Sequence, residues 1–111
     1  MSFTVNSSFD SGVATMTLAG RLDANTAQQF KEVIEMVAQH KPHTVALFVS
    51  ELEYMASAGI RMLVFTKQKM GAATDIYMVG AVAQIVHTLE MTGVDKSVIF
   101  VDKFEPAALA D

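Results

Sequence analysis

Cysteine is absent from the chain, which excludes disulfides and thiolate metal sites and is compatible with a reducing compartment. No apolar run approaches the ~20 residues needed to span a bilayer. The start MSFTVNSSFD has neither the basic opening nor the apolar stretch of a secretory signal. A soluble, cytoplasmic protein without membrane association is therefore expected. Positive charge is sparse: the eight basic residues are scattered, and the formal net charge is −4. The electrostatic footprint of a nucleic-acid binder is missing, so the expected partners are proteins. The chain also lacks linkers, internal repeats and low-complexity tracts. Its 111 residues are too few for two self-sufficient cores, which leaves one domain over residues 1–111.

What the sequence does contain is a hydrophobic period that switches repeatedly. Phe3, Val5 and Phe9 give strand character to the segment from Ser2 to Phe9. The turn residues Asp10 to Gly12 follow, and then a second alternating run, VATMTLAG, so the chain opens on a hairpin. From Asp23 the spacing becomes helical, with Ala27, Phe30, Ile34, Val37 and Ala38 on one side and Lys31, Glu32 and Glu35 on the other, ending before Pro42. The apolar run TVALFV, bounded by Pro42 and Ser50, fits a strand buried on both faces. Ser57 opens a helix with Ile60, Leu63 and Val64 on one face, stopping at Met70 with Gly71 as its C-terminal cap. DIYMVGA reads as a strand, VAQIVHTLEMT as a helix closed by Gly93, SVIFV as a strand, and EPAALA as a short terminal helix. The order predicts a single α/β domain, with a mixed, mostly parallel sheet, an N-terminal hairpin and about four helices.

Candidate chemistry is confined to a few positions. If the strands ending at Leu18 and Val49 run parallel, Asp23 and Ser57 begin helices on the same carboxyl edge of the sheet, where open α/β sheets place their sites. Each fits a helix N-cap. Ser57 has a second reading, because small neighbours at Ala58 and Gly59 leave its hydroxyl accessible and a helix N-terminus accepts a phosphate. A hydrolytic nucleophile is disfavoured: there is no G-x-S-x-G elbow, and His40, His43 and His87 show no motif joining them to a serine and an acid. The histidines have no zinc spacing, no G-x-x-x-x-G-K-S/T phosphate loop is present, and no cofactor or metal is expected. Met62 and Phe65 fall off the Ile60, Leu63, Val64 face. With Met55 and Arg61 they suggest an apolar patch with a charged rim, and the competing reading is that a second layer covers them.

Three segments, LAGRLDANTAQQF, ELEYMASAGIRML and LEMTGVDKSVIFVDKFEPAALA, resemble the STAS domains of bacterial anti-sigma factor antagonists, which act in partner-switching systems. In their order and spacing, and with the element order, they cover nearly the whole chain. The resemblance implies a non-enzymatic regulator whose Ser57 is phosphorylated by an anti-sigma factor that is itself a serine kinase of the histidine-kinase-like ATPase type. A PP2C-type phosphatase would remove the phosphate. It further implies that Asp23 lies in a partner-contact surface and that the family's small residue and glycine fall on Ala58 and Gly59; with Met55, Arg61 and Met62 of the apolar patch, these six make up the expected partner-binding surface. Two positions differ from many members: Ala56 stands where Asp or Ser often precedes the serine, and Phe48 where Asp often ends the preceding strand. The alternatives are a STAS scaffold that is never phosphorylated and, in a different class, a small serine hydrolase.

Overall fold

The computed structural model describes residues 3–104. The elements follow in the order β1 (Phe3–Asp10), β2 (Val13–Leu22), α1 (Ala27–Ala38), β3 (Thr44–Met55), α2 (Ser57–Met70), β4 (Asp75–Val79), α3 (Ala83–Thr92), a 3-10 turn (Val94–Ser97) and β5 (Ile99–Val101). The five strands form one sheet in sequence order. β1 is antiparallel to β2, and the β2–β3, β3–β4 and β4–β5 pairs are parallel. The predicted hairpin closes through Ser11 and Gly12, whose φ values of 52° and 82° are those of a two-residue turn matching the strand twist. Gly12 is required there twice over, since a Cβ would also run into the His43 ring.

One core joins the helices to a single face of the sheet. Phe30, Ile34 and Val37 of α1, Leu63 of α2, and Ile85 and Leu89 of α3 pack with Met16, Leu18, Val45, Leu47, Ile76 and Met78. Burial of these apolar side chains, each contributing ~1.5–3 kcal/mol relative to exposure, is the main source of stability. Val45, Ala46 and Leu47 are all fully buried, as expected for a strand covered on both faces.

Several boundaries differ from the sequence reading. β3 does not stop at Val49 but continues through Ser50 to Met55, because β2 goes on pairing with it. Phe48 is therefore a mid-strand residue, and its ring meets Phe104 at 6.2 Å. Two register shifts, between Thr17 and Ala19 and between Gly20 and Arg21, each place one extra residue in β3. They bring Val49, Leu52 and Met55, three apart in sequence, to the same core, which strict alternation forbids. On α2 the buried positions are Gly59, Leu63 and Thr66, while Val64 is 38% exposed. Thr66 is tolerated inside because its hydroxyl donates to the Met62 carbonyl at 2.6 Å. The segment Val94–Ser97 forms a 3-10 turn, and β5 starts only at Ile99. Three α-helices fall within the described residues; the expected terminal helix EPAALA lies outside them.

Candidate functional site

β2 and β3 end side by side, with Leu22 opposite Met55. The Ala56 N–H donates to the Leu22 carbonyl at 2.9 Å and extends the pairing one residue past the strand. That bond keeps Ala56 extended, at φ −85° and ψ 176°, so the N-cap of α2 is Ala56 and Ser57 is the first helical residue. This corrects the expectation of Ser57 as a cap. Its side chain is exposed and makes no capping bond. The first α2 amide bonded to a main-chain carbonyl is that of Ile60, which donates to Ala56 at 3.0 Å. The start of α2 is thus a helix N-terminus with no side-chain acceptor, where the positive end of the helix dipole favours an anion.

Asp23 leaves the adjacent strand but is not the N-cap of α1, a position held by Thr26. It caps the preceding turn instead. Asp23 Oδ1 accepts the N–H groups of Asn25 (3.0 Å) and Thr26 (3.2 Å), while Thr26 Oγ1 accepts the Asp23 N–H at 2.9 Å. This reciprocal lock is readable afterwards in the sequence DANT, where the two capping side chains stand three apart. Among the described residues all hydrogen bonds to the carboxylate fall on Oδ1, leaving Oδ2 unengaged.

The remaining predicted positions separate into two groups. Ser57 and Arg61 are exposed and lie one helical turn apart, so their side chains share a face of α2; Ala58 is half-buried. Met55 and Gly59 are buried and shape this surface from beneath, so they are not part of an exposed patch. Met62 and Phe65 are half-buried and pack against the core, so each offers a partner only the part of its side chain left at the surface. Gly59 has a packing role that the sequence reading missed. A Cβ there would lie 2.8 Å from Leu22 Cγ and 2.8 Å from Met55 Cγ, so only glycine lets α2 sit this close to the strand ends. The Arg21 guanidinium over the Tyr54 ring, at 4.1 Å, was also missed. Parallel pairing of the two strand ends, carried back one position, would have found it.

The histidines are placed elsewhere. His43 precedes β3 whereas Ser57 follows it, so they are separated by the full length of a 12-residue strand. His43 Nδ1 is 2.8 Å from Thr44 Oγ1, and His40 stacks on Phe9 with ring centroids 4.6 Å apart. His87 is exposed on α3. Among the described residues no cluster of His, Asp and Glu could hold a metal ion, and no helix is long and apolar enough to cross a membrane.

The STAS domain model matches residues 4–107, and the chain belongs to that family. The chain is similar to the anti-sigma-F factor antagonist RsfB of Mycobacterium tuberculosis, 27% identical over 96 residues covering 86% of this chain and 79% of that protein. The crystal structure of an anti-sigma factor antagonist from Mycobacterium paratuberculosis superposes with a TM-score of 0.85 at 25% identity, covering 98% of this chain and 93% of that one. The Bacillus cell fate determinant SpoIIAA in its phosphorylated form shares the fold, with a TM-score of 0.70 at 16% identity over 98% of this chain and 97% of its own.

The contact between Gly59 and Leu22 is testable as a coupled pair. Gly59→Ala should cost ~1–3 kcal/mol by overpacking, less the ~1 kcal/mol that alanine gains in helix propensity. Leu22→Ala should cost ~2–5 kcal/mol. In the double variant the new methyl enters the vacated space, so urea unfolding should show a loss smaller than the sum by ~0.5–3 kcal/mol. Strict additivity would mean that the close approach carries no energy.

Proposed function

We propose that the chain is an anti-sigma factor antagonist working by partner switching. In its unmodified form the surface around Ser57 docks on an anti-sigma factor that is also its serine kinase, of the histidine-kinase-like ATPase type, and displaces what that factor holds. Phosphorylation of Ser57 ends the docking, and a PP2C-type phosphatase restores it. The observation that carries this reading is the position of Ser57: exposed, first in its helix, with no side-chain acceptor on the amides beside it. The names of the relatives supply the antagonist role.

The physics gives the switch its sign. A phosphate adds roughly −1.5 to −2 charges at neutral pH. At the start of α2 it meets free N–H groups and the positive end of the dipole, and Arg61 one turn on can reach it, so the domain itself tolerates the group. A partner surface formed around a neutral hydroxyl does not. Burying that charge unpaired at a net cost of ~4 kcal/mol lowers affinity about a thousandfold. On this reading Asp23, with a free carboxylate oxygen, and Arg61 supply the charged rim; Ala58 and Met62 supply apolar contact, with Met55 and Gly59 supporting from below.

The test is phosphate incorporation by the cognate kinase, read by mass spectrometry. Ser57→Ala should abolish labelling while changing stability by no more than about 0.5 kcal/mol, since no capping bond is lost. Undiminished labelling would move the site elsewhere, and an absence of phosphate on the protein from its own cells would favour the unphosphorylated scaffold.

Docking has its own measurement. Asp23→Ala and Arg61→Glu should each weaken kinase binding in calorimetric titration by roughly tenfold or more, with little change in melting temperature for Arg61→Glu. Met62→Lys, by contrast, should lower stability as well, because the side chain is half-buried. Phosphorylated protein should melt at or slightly above the unmodified temperature and bind the kinase much more weakly. Tighter binding of the phosphoprotein would overturn the antagonist mechanism.

A further inference from the structure

The outer edge of β1 is built to accept another strand. Its closing pair with β2 is Asp10 with Val13 across the two-residue turn, and pairing continues without a register shift to Phe3. In such a hairpin the closing pair is hydrogen-bonded, so even-numbered residues of β1 turn N–H and C=O toward β2. The odd-numbered ones, Phe3, Val5, Ser7 and Phe9, turn theirs outward. The bond from Gln29 Nε2 to the Phe3 carbonyl, at 3.3 Å, fits this parity and covers one outward group. Among the described residues nothing covers the outward groups of Val5, Ser7 and Phe9.

Exposed edges are normally blunted by a charge, a proline, a bulge or brevity. β1 has eight residues, and from Phe3 to Phe9 it contains no charge, no proline and no bulge. Above it, Gln29, Val33 and Met36 of α1 and His40 just past its end follow one another at helical spacing, with exposed Glu32 beside Gln29 and Met36. Met36 is 58% exposed and Phe9 38%, and both line a shallow depression with Ser7, Ser8 and His40.

We propose that this edge is a self-association surface and that its occupant is a second copy of the chain, paired antiparallel through β1 about a two-fold axis at Ser7. That register sets Val5 opposite Phe9 of the second copy, Ser7 opposite Ser7, and Phe9 opposite Val5. All three residues exchange their outward N–H and C=O groups, and Phe3 keeps its bond from Gln29. On the helix side an exposed Phe9 ring comes to rest beside a half-buried Val5 twice. On the other side Asn6 faces Ser8, and Thr4 faces Asp10, so no like charges oppose each other although each copy carries a net charge of −4. What favours a second copy is that Val5 meets Phe9, apolar on apolar, in both halves while no charge opposes its like. The two five-stranded sheets become one of ten, and Ser57, at the end of β3, is separated from the joint by β2.

Sedimentation equilibrium of the full chain over a wide concentration range tests the assignment. The parent should show a monomer–dimer equilibrium. Ser7→Lys opposes two ammonium groups at the axis and should raise the dissociation constant at least about tenfold. Ser7→Pro removes only an outward N–H, which an edge strand tolerates, and should weaken pairing while the circular dichroism melt stays cooperative. In this cysteine-free chain Ser7→Cys should oxidise to a linked dimer, since paired Cα atoms ~5.5 Å apart are within disulfide reach. Gln84→Cys, exposed on α3, should not. A parent that stays monomeric at every concentration, including one that recruits only a different protein's strand, overturns the proposal, as does a dimer indifferent to both Ser7→Lys and Ser7→Pro.

Discussion

The parallel pairing of β2 with β3 is the constraint on which everything else rests. Its two register shifts lengthen β3 by two residues relative to its neighbour and still deliver Leu22 and Met55 side by side. The hydrogen bond from Ala56 to Leu22 then fixes where extended chain becomes helix, and the absent side chain of Gly59 lets that helix seat on Leu22. Asp23, locked by Thr26, starts from the same level on the neighbouring strand. Asp23 and Ser57, 34 positions apart in sequence, thereby follow neighbouring strand ends at one edge of the sheet.

Such an edge can change its electrostatics without changing its shape. The start of α2 offers amide donors and dipole to an anion, while the core beneath it, from Leu22 and Met55 to Leu63, is already closed and apolar. On the proposed reading, a charge added there changes what a docking partner meets more than it changes the packing beneath. That division of roles is what a reversible regulator needs, since a switch that unfolded its carrier would be slow to reset and exposed to degradation.

The hairpin, the amphipathic α1, the buried run through Leu47 and the cap at Gly93 were legible because local period and turn chemistry determine them. The continuation of β3 was not. Ser50, Glu51 and Glu53 read as loop, and Val49, Leu52 and Met55 have a spacing that belongs to no strand until the bulges are known. Bulges are settled by the partner strand, which a local pattern does not contain. The same applies to α2: Thr66 reads as polar and Val64 as core, yet the helix is rotated so that Gly59 meets Leu22, and the hydroxyl of Thr66 turns inward onto its own backbone. The exposed placement of Ser57 and Arg61 at the start of α2 was legible from residue type and position, whereas the burial of Met55 and Gly59 depended on tertiary packing.

β4 pairs with β3 only from Thr44 to Phe48, so the stretch from Val49 to Met55 has a strand on one side alone. Gly80 approaches it at Ser50, and past that point, among the described residues, its sheet partner is β2 alone. Past Gly80 the sheet narrows to β1, β2 and β3, with Thr4 and Phe3 still paired to Ala19 and Gly20, and only the last step, Arg21–Leu22 with Tyr54–Met55, is two strands wide among the described residues. In native-state hydrogen exchange this narrowed end should open at lower free energy than the five-strand centre. The step that leads into Ser57 thus has fewer sheet partners than Val45 to Leu47, whose strand is paired on both sides.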